Sequence, residues 1–159
     1  MELTLTPAQR DLQQKVRDFI SKEVMPLEVE VEMAEGKLDP AVRKRLYAQV
    51  KALGLNAISL PGKVGGRGFS WVDQAIVNEE LGKATNALGW VLSTPPLWFT
   101  EVASPMQRER WLAPTVRGEL HECYAITEEG AGSDVDAIQA TARRDGDGYV
   151  VDGVKWHVT

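Results

Sequence analysis

Tyr124-Ala125-Ile126-Thr127-Glu128-Glu129-Gly130-Ala131-Gly132-Ser133-Asp134 reads as a strand that runs into a glycine-bearing turn. The aromatic and β-branched residues at its start favour extended backbone. Gly130 and Gly132 remove the Cβ atoms that would keep a ligand away from the turn. A turn of this kind aims consecutive backbone N–H groups at an anion, and Thr127 and Ser133 add hydroxyl donors on either side. From spacing alone two readings stand, a phosphate or flavin cradle and a plain reversal of the chain.

The stretch also divides two textures. Upstream, the apolar residues recur at helical spacing. Thr6-Pro7 pairs an N-cap hydroxyl with proline at the first helical position, and Leu12, Val16, Phe19, Ile20 and Val24 follow on one stripe, predicting a helix that ends near Pro26. Asp39-Pro40 opens a second helix through Val42, Leu46, Val50 and Leu53, with Gly54 placed for a left-handed cap. Ser70 and Asp73 have the spacing of a capping box and start a third helix, running to about Thr85. Asn86 to Thr94 is apolar on nearly all sides, as a helix buried among others would be, and Ser104-Pro105 starts another that runs to about Pro114. From Cys123 onward the period shortens. Cys123 to Ile126, the alternating Ile138, Ala140 and Ala142, Tyr149-Val150-Val151, and Val154 to Thr159 read as strands, with Asp145-Gly146-Asp147-Gly148 and Asp152-Gly153 as hairpin turns. The expected class is α+β: an all-α domain over residues 1–118, then over 119–159 the first strands of a second domain.

Composition narrows the partners. The chain has 159 residues, 43% hydrophobic and 26% charged, which suffices for a core of its own. Eighteen basic residues are mixed among twenty-three acidic ones for a formal charge of -5, which argues against nucleic acid and anionic membrane. The single cysteine, Cys123, rules out an internal disulfide or a cysteine zinc ribbon and points to a reducing compartment, read as the cytoplasm. The start lacks a signal-peptide pattern, no run approaches the roughly 20 apolar residues of a membrane span, and no metal site is expected.

The quoted stretch resembles the Tyr-x-x-Thr-Glu-Pro-Gly-Ala-Gly-Ser-Asp signature that opens the middle β-domain of acyl-CoA dehydrogenases. Asp145-Gly146 to Lys155 is similar to that family's following hairpin. Gly65-Gly66-Arg67-Gly68 with Asn78-Glu79-Glu80-Leu81 is similar to its upstream turn and helix. The matches fall in family order over essentially the whole chain. The resemblance implies an N-terminal helical domain, a middle β-barrel-like domain and a C-terminal four-helix bundle, of which this chain carries the first and the beginning of the second, so that it is expected to be truncated.

Function is implied on the same terms. The family oxidises acyl-CoA thioesters between the α and β carbons: a glutamate takes the α-proton and the β-hydrogen passes as hydride to the N5 atom of FAD. That glutamate lies in the C-terminal bundle and aligns with no residue here, so no catalytic residue is assigned and the chain alone is expected to be inactive and to hold FAD weakly or not at all. The resemblance maps Tyr124, Ile126, Thr127, Gly132, Ser133, His157 and Thr159 onto cofactor contacts. Thr127 faces the pyrimidine side of the flavin, Gly132 and Ser133 the pyrophosphates, and Thr159 the N5 atom. Ser133 also maps onto the CoA thioester. Implied partners are an acyl-CoA thioester, an electron-transfer acceptor and further copies of the chain. Two alternatives keep the fold: a non-catalytic or partner-dependent subunit, and a flavin oxidase or monooxygenase.

The sequence departs from the family at two places. His157 stands where a tryptophan is usual, with Trp156 one step earlier, and an imidazole there either stacks on the flavin or is solvated. Glu129 replaces a common proline, adding a carboxylate beside a pyrophosphate site, which weakens binding only if it points inward. Elsewhere the ordinary readings are preferred. Gly65 to Gly68 is a helix-entry turn rather than a phosphate loop, Glu79 and Glu80 are surface and packing charges, and Trp71, Trp90, Trp98 and Trp111 are core or interface residues.

Overall fold

Thr6 opens the first helix as its sequence predicts, in a computed structural model that describes residues 4–92, 95–120 and 122–158. The Thr6 hydroxyl accepts from the Gln9 amide at 3.2 Å, and the Gln9 side chain accepts from the Thr6 amide at 3.0 Å. Helix α1, Pro7–Phe19, then widens into a π-helical turn, Ile20–Val24, and tightens into a 3-10 turn, Met25–Leu27. The cause is Pro26, which has no N–H to donate and whose ring would strike the Lys22 carbonyl in a regular α-helix. The same device recurs near residue 114. Helix α6, Pro105–Gln107, opens into a π turn, Arg108–Leu112, two residues before Pro114, and resumes as α7, Ala113–Val116. Each π turn contains the carbonyl that its proline would otherwise meet.

The chain does not stop at Pro26. A short helix that the sequence pattern does not predict, α2, Glu28–Met33, buries Val31, and its Glu28 carboxylate accepts from the Thr85 amide at 2.7 Å. Helix α3, Pro40–Leu53, is capped by Asp39 and ends at Gly54 with φ +70°, where the Leu55 amide returns to the Val50 carbonyl. Helix α4, Trp71–Leu81, carries the full Ser70–Asp73 capping box. Asn86–Leu92 is buried as expected at Leu88, Val91 and Leu92, but winds as a 3-10 helix, and Thr94 lies outside the described residues. A further helix that the pattern does not predict, α5, Leu97–Val102, precedes α6.

The chain divides into two units, Met1–His121 and Glu122–Thr159. In the first, Val16, Phe19, Leu46, Val50, Leu55, Val77 and Leu88 from α1, α3, α4 and the connecting segments form the main core. Ala57, Leu60, Leu112 and Val116 form a smaller one. Of the Glu79-Glu80 pair, Glu79 is the exposed charge and Glu80 the packing charge. Glu80 is fully buried, with Arg17 donating at 2.7 and 3.3 Å and Lys83 at 2.5 Å. Arg17, then Lys83, hold its carboxyl below the ordinary value against the opposing effect of burial. The tryptophans divide. Trp90 is half-buried against Tyr47, whereas Trp71 is 83% and Trp98 63% exposed, so neither belongs to the core of this unit.

In the second unit, strands β1, Thr141–Asp145, and β2, Gly148–Asp152, pair antiparallel with Arg143 opposite Val150. Gly146 takes φ +60° at the first loop position, and Asp147 does not have positive φ, the pattern of a type II′ hairpin. The α+β class holds: a helical unit followed by an antiparallel strand pair. Other expected strands are absent or shorter among the described residues. Cys123–Ile126 and Val154–Val158 are not strands, the expected strand through Ile138, Ala140 and Ala142 begins only at Thr141, and Asp152-Gly153 is not a hairpin. The segments around Thr127 and Trp156 share one backbone hydrogen bond, from the Trp156 amide to the Thr127 carbonyl at 2.8 Å, and a single bond does not make a ladder. Gly153 instead lets the chain pass Ala140, whose Cβ lies 2.6 Å from where a Gly153 Cβ would sit.

Candidate functional site

In the helical unit, the Gly65 to Gly68 turn directs its amides inward. Gly66, Arg67 and Gly68 donate to the carbonyls of Pro61, Ala57 and Leu60 at 3.2, 3.1 and 2.8 Å. A Cβ on Gly66 would lie 2.1 Å from the Leu60 carbonyl oxygen, so close backbone approach explains the glycine and no phosphate is needed.

The turn in the second unit is built differently. Neither Gly130 nor Gly132 has positive φ, and a Cβ on either would meet nothing within 4 Å. Neither backbone strain nor crowding among the described residues calls for glycine there. Gly132 and Ser133 are exposed, and Asp134 caps the loop, its carboxylate accepting from the Asp136 amide at 3.2 Å.

Glu128 organises this unit. Its carboxylate accepts from Lys155 Nζ at 2.8 Å, from the Gln139 amide at 2.8 Å and from the Ala140 amide at 3.0 Å. The Lys155 ammonium, followed by the Gln139 amide, holds the Glu128 carboxyl down at about 2. Lys155 also donates to the Ile126 carbonyl at 2.9 Å, and the Trp156 amide donates to the Thr127 carbonyl at 2.8 Å. The two carbonyls of Ile126 and Thr127 are therefore both engaged. The Thr127 amide and hydroxyl have no acceptor among the described residues.

Of the expected contacts, the structure brings Ile126 and Thr127 against the Lys155-Trp156 segment. Tyr124 is 74% exposed, and Thr159 lies outside the described residues. His157 is exposed with φ +50° and meets Trp156 edge-on, ring centroids 6.2 Å apart. Glu129 is exposed. An open cavity of about 770 Å³ lies beside Glu128, Gly130, Gln139, Gly153 and Trp156, and none of the expected cofactor contacts lines it. Glu128 and Lys155 are not among the expected site residues. Their signal is present as an acid and a base within the two quoted motifs, but 27 positions separate them and only the fold pairs them.

Among the described residues no helix is long and apolar enough to cross a membrane, and no group of His, Cys, Asp and Glu is arranged to hold a metal ion.

Comparison with known proteins decides the family. Residues 6–119 match the acyl-CoA dehydrogenase N-terminal domain and residues 123–159 the middle domain. The chain belongs to the acyl-CoA dehydrogenase family. It is 35% identical over 158 residues to the human mitochondrial short-chain specific acyl-CoA dehydrogenase, covering 93% of this chain and 36% of that protein. Among solved structures, an acyl-CoA dehydrogenase from Geobacillus kaustophilus superposes with a TM-score of 0.81 at 29% identity, over 99% of this chain and 41% of that one. One from Bacillus anthracis, complexed with FAD, gives 0.81 at 26% identity, over 97% and 27%. The chain thus spans well under half the length of these acyl-CoA dehydrogenases.

Proposed function

We propose that this chain supplies flavin- and thioester-facing residues of an FAD-dependent acyl-CoA dehydrogenase, which removes a proton and a hydride from adjacent carbons of an acyl-CoA. The observation that carries this reading is the pair of unengaged donors on Thr127, in a segment whose carbonyls are otherwise held. Donors fixed before a ligand arrives need no reorganisation to stabilise negative charge on it. The open Gly130 and Gly132 fit the same reading, since a phosphate group would occupy space that no side chain of this unit fills. FAD, when bound, supplies the acceptor for the β-hydrogen.

Thr127 binds and orients the pyrimidine side of the flavin. Gly132 and Ser133 meet pyrophosphate, and Ser133 the thioester as well. No residue of this chain is assigned the role of base. The reading includes an electron-transfer acceptor, association with further copies, and a cytoplasmic location in which the exposed Cys123 stays a free thiol.

The test is addition of FAD to the isotopically labelled chain, read by amide chemical shifts. Shifts should concentrate at residues 124–133 and 154–158, and Thr127→Ala should weaken binding by about tenfold, as loss of a hydrogen bond to a polarised acceptor does. Shifts centred on other residues, or an affinity that Thr127→Ala leaves unchanged, would overturn the reading.

A further inference from the structure

We propose that Lys155 is a positioning residue for the Thr127 amide donor, and that Glu128 holds Lys155 in that role. The inference rests on the flavin reading above. The Ile126 carbonyl and the Thr127 N–H belong to one peptide unit, planar and trans, so they point in opposite directions. Lys155 Nζ, 2.9 Å from the Ile126 oxygen, fixes that plane and with it the direction of the Thr127 N–H. A cation bound to the carbonyl also draws electron density through the amide and makes its N–H a stronger donor.

The next peptide plane is fixed from both sides. The Thr127 carbonyl accepts from the Trp156 amide at 2.8 Å, and the Glu128 amide donates to the Ala131 carbonyl at 3.1 Å. Thr127 is left with both flanking planes held and its own donors open. Lysine alone would hold this geometry poorly, because its ammonium rides on a flexible four-carbon stem. Glu128 removes that freedom, and its own carboxylate is kept from swinging by the amides of Gln139 and Ala140.

A purely structural clasp and a positioning one differ in a measurable way. The two-electron-reduced flavin carries negative charge on its pyrimidine side, so a polarised donor favours reduced over oxidised FAD. The experiment titrates oxidised and dithionite-reduced FAD into the 159-residue chain and into the variants Lys155→Met, Lys155→Arg and Glu128→Gln, reading affinities from amide shifts. Lys155→Met should lower the ratio of reduced to oxidised affinity by about tenfold, the scale of one charge-assisted hydrogen bond. Lys155→Arg should restore most of the ratio, and Glu128→Gln should fall between. An unchanged ratio in a folded Lys155→Met chain overturns the proposal. If Lys155→Met loses the β1–β2 amide signals, Glu128→Gln carries the same comparison, and loss of the hairpin in both variants marks the pair as structural only and also overturns it. FAD is taken to millimolar concentration because the chain's hold on it is expected to be weak, and shifts centred away from residues 124–133 and 154–158 overturn the flavin reading itself, and this inference with it.

Discussion

Glu128 sits at the point where the second unit's separate segments meet, and its chemistry sets a pH window. Its folded carboxyl is held at about 2, below the ordinary 4.5, so it binds fewer protons folded than unfolded. The stabilisation it brings is complete above about 4.5 and is lost as pH falls towards about 2. Amide signals of Gln139 and Ala140 should therefore collapse across that window in the wild type, and Glu128→Gln should remove the dependence while weakening the unit at neutral pH. Gly153 offers a second test. At φ +149°, and with Ala140 Cβ 2.6 Å from where an alanine Cβ would sit, Gly153→Ala should displace the 137–140 segment and shift the Gln139 and Ala140 amides. Neither role is legible in the sequence. Glu128 reads as a member of a turn motif and Gly153 as a hairpin residue, because what defines both is a neighbour more than ten positions away.

Caps, by contrast, are local and legible. Thr6, Asp39 and Ser70 each accept backbone donors at their helix starts, as their side-chain chemistry and spacing require. Ser70→Ala should cost about 1 kcal/mol, measurable by urea unfolding of the helical unit. The π turns before Pro26 and Pro114 escape the pattern, since proline signals an interruption without saying whether the chain ends or widens and continues. Burial of Glu80 escapes it too, because the partner that matters most, Arg17, comes from another helix. With its carboxyl held below 4.5, Glu80 contributes stability above that pH and loses it on acidification. Glu80→Gln should lower the melting temperature at neutral pH and flatten its fall in acid, and an unchanged acid profile would remove Glu80 from the account.

Across the whole molecule, apolar burial is distributed very unevenly. The helical unit places Val16, Leu46, Leu55, Val77 and Leu88 wholly out of water, whereas every residue of β1 and β2 is exposed. A two-stranded hairpin without a covered face is marginal in water, so its amides should open locally rather than wait for global unfolding. Hydrogen exchange should accordingly find the slowest amides in α1, α3 and α4 and much faster exchange in Thr141–Asp152. Leu46→Ala gives the sharper form of the test. Removing a fully buried leucine should cost about 2–5 kcal/mol and speed exchange of the slowest helical amides in proportion. Hairpin amides that exchange by local opening do not feel that loss, so their rates should stay as they were. If instead the hairpin proves as protected as the helices, or if Leu46→Ala accelerates both together, burial within the unit is not what governs its opening and the hairpin draws its order from contacts beyond its own residues.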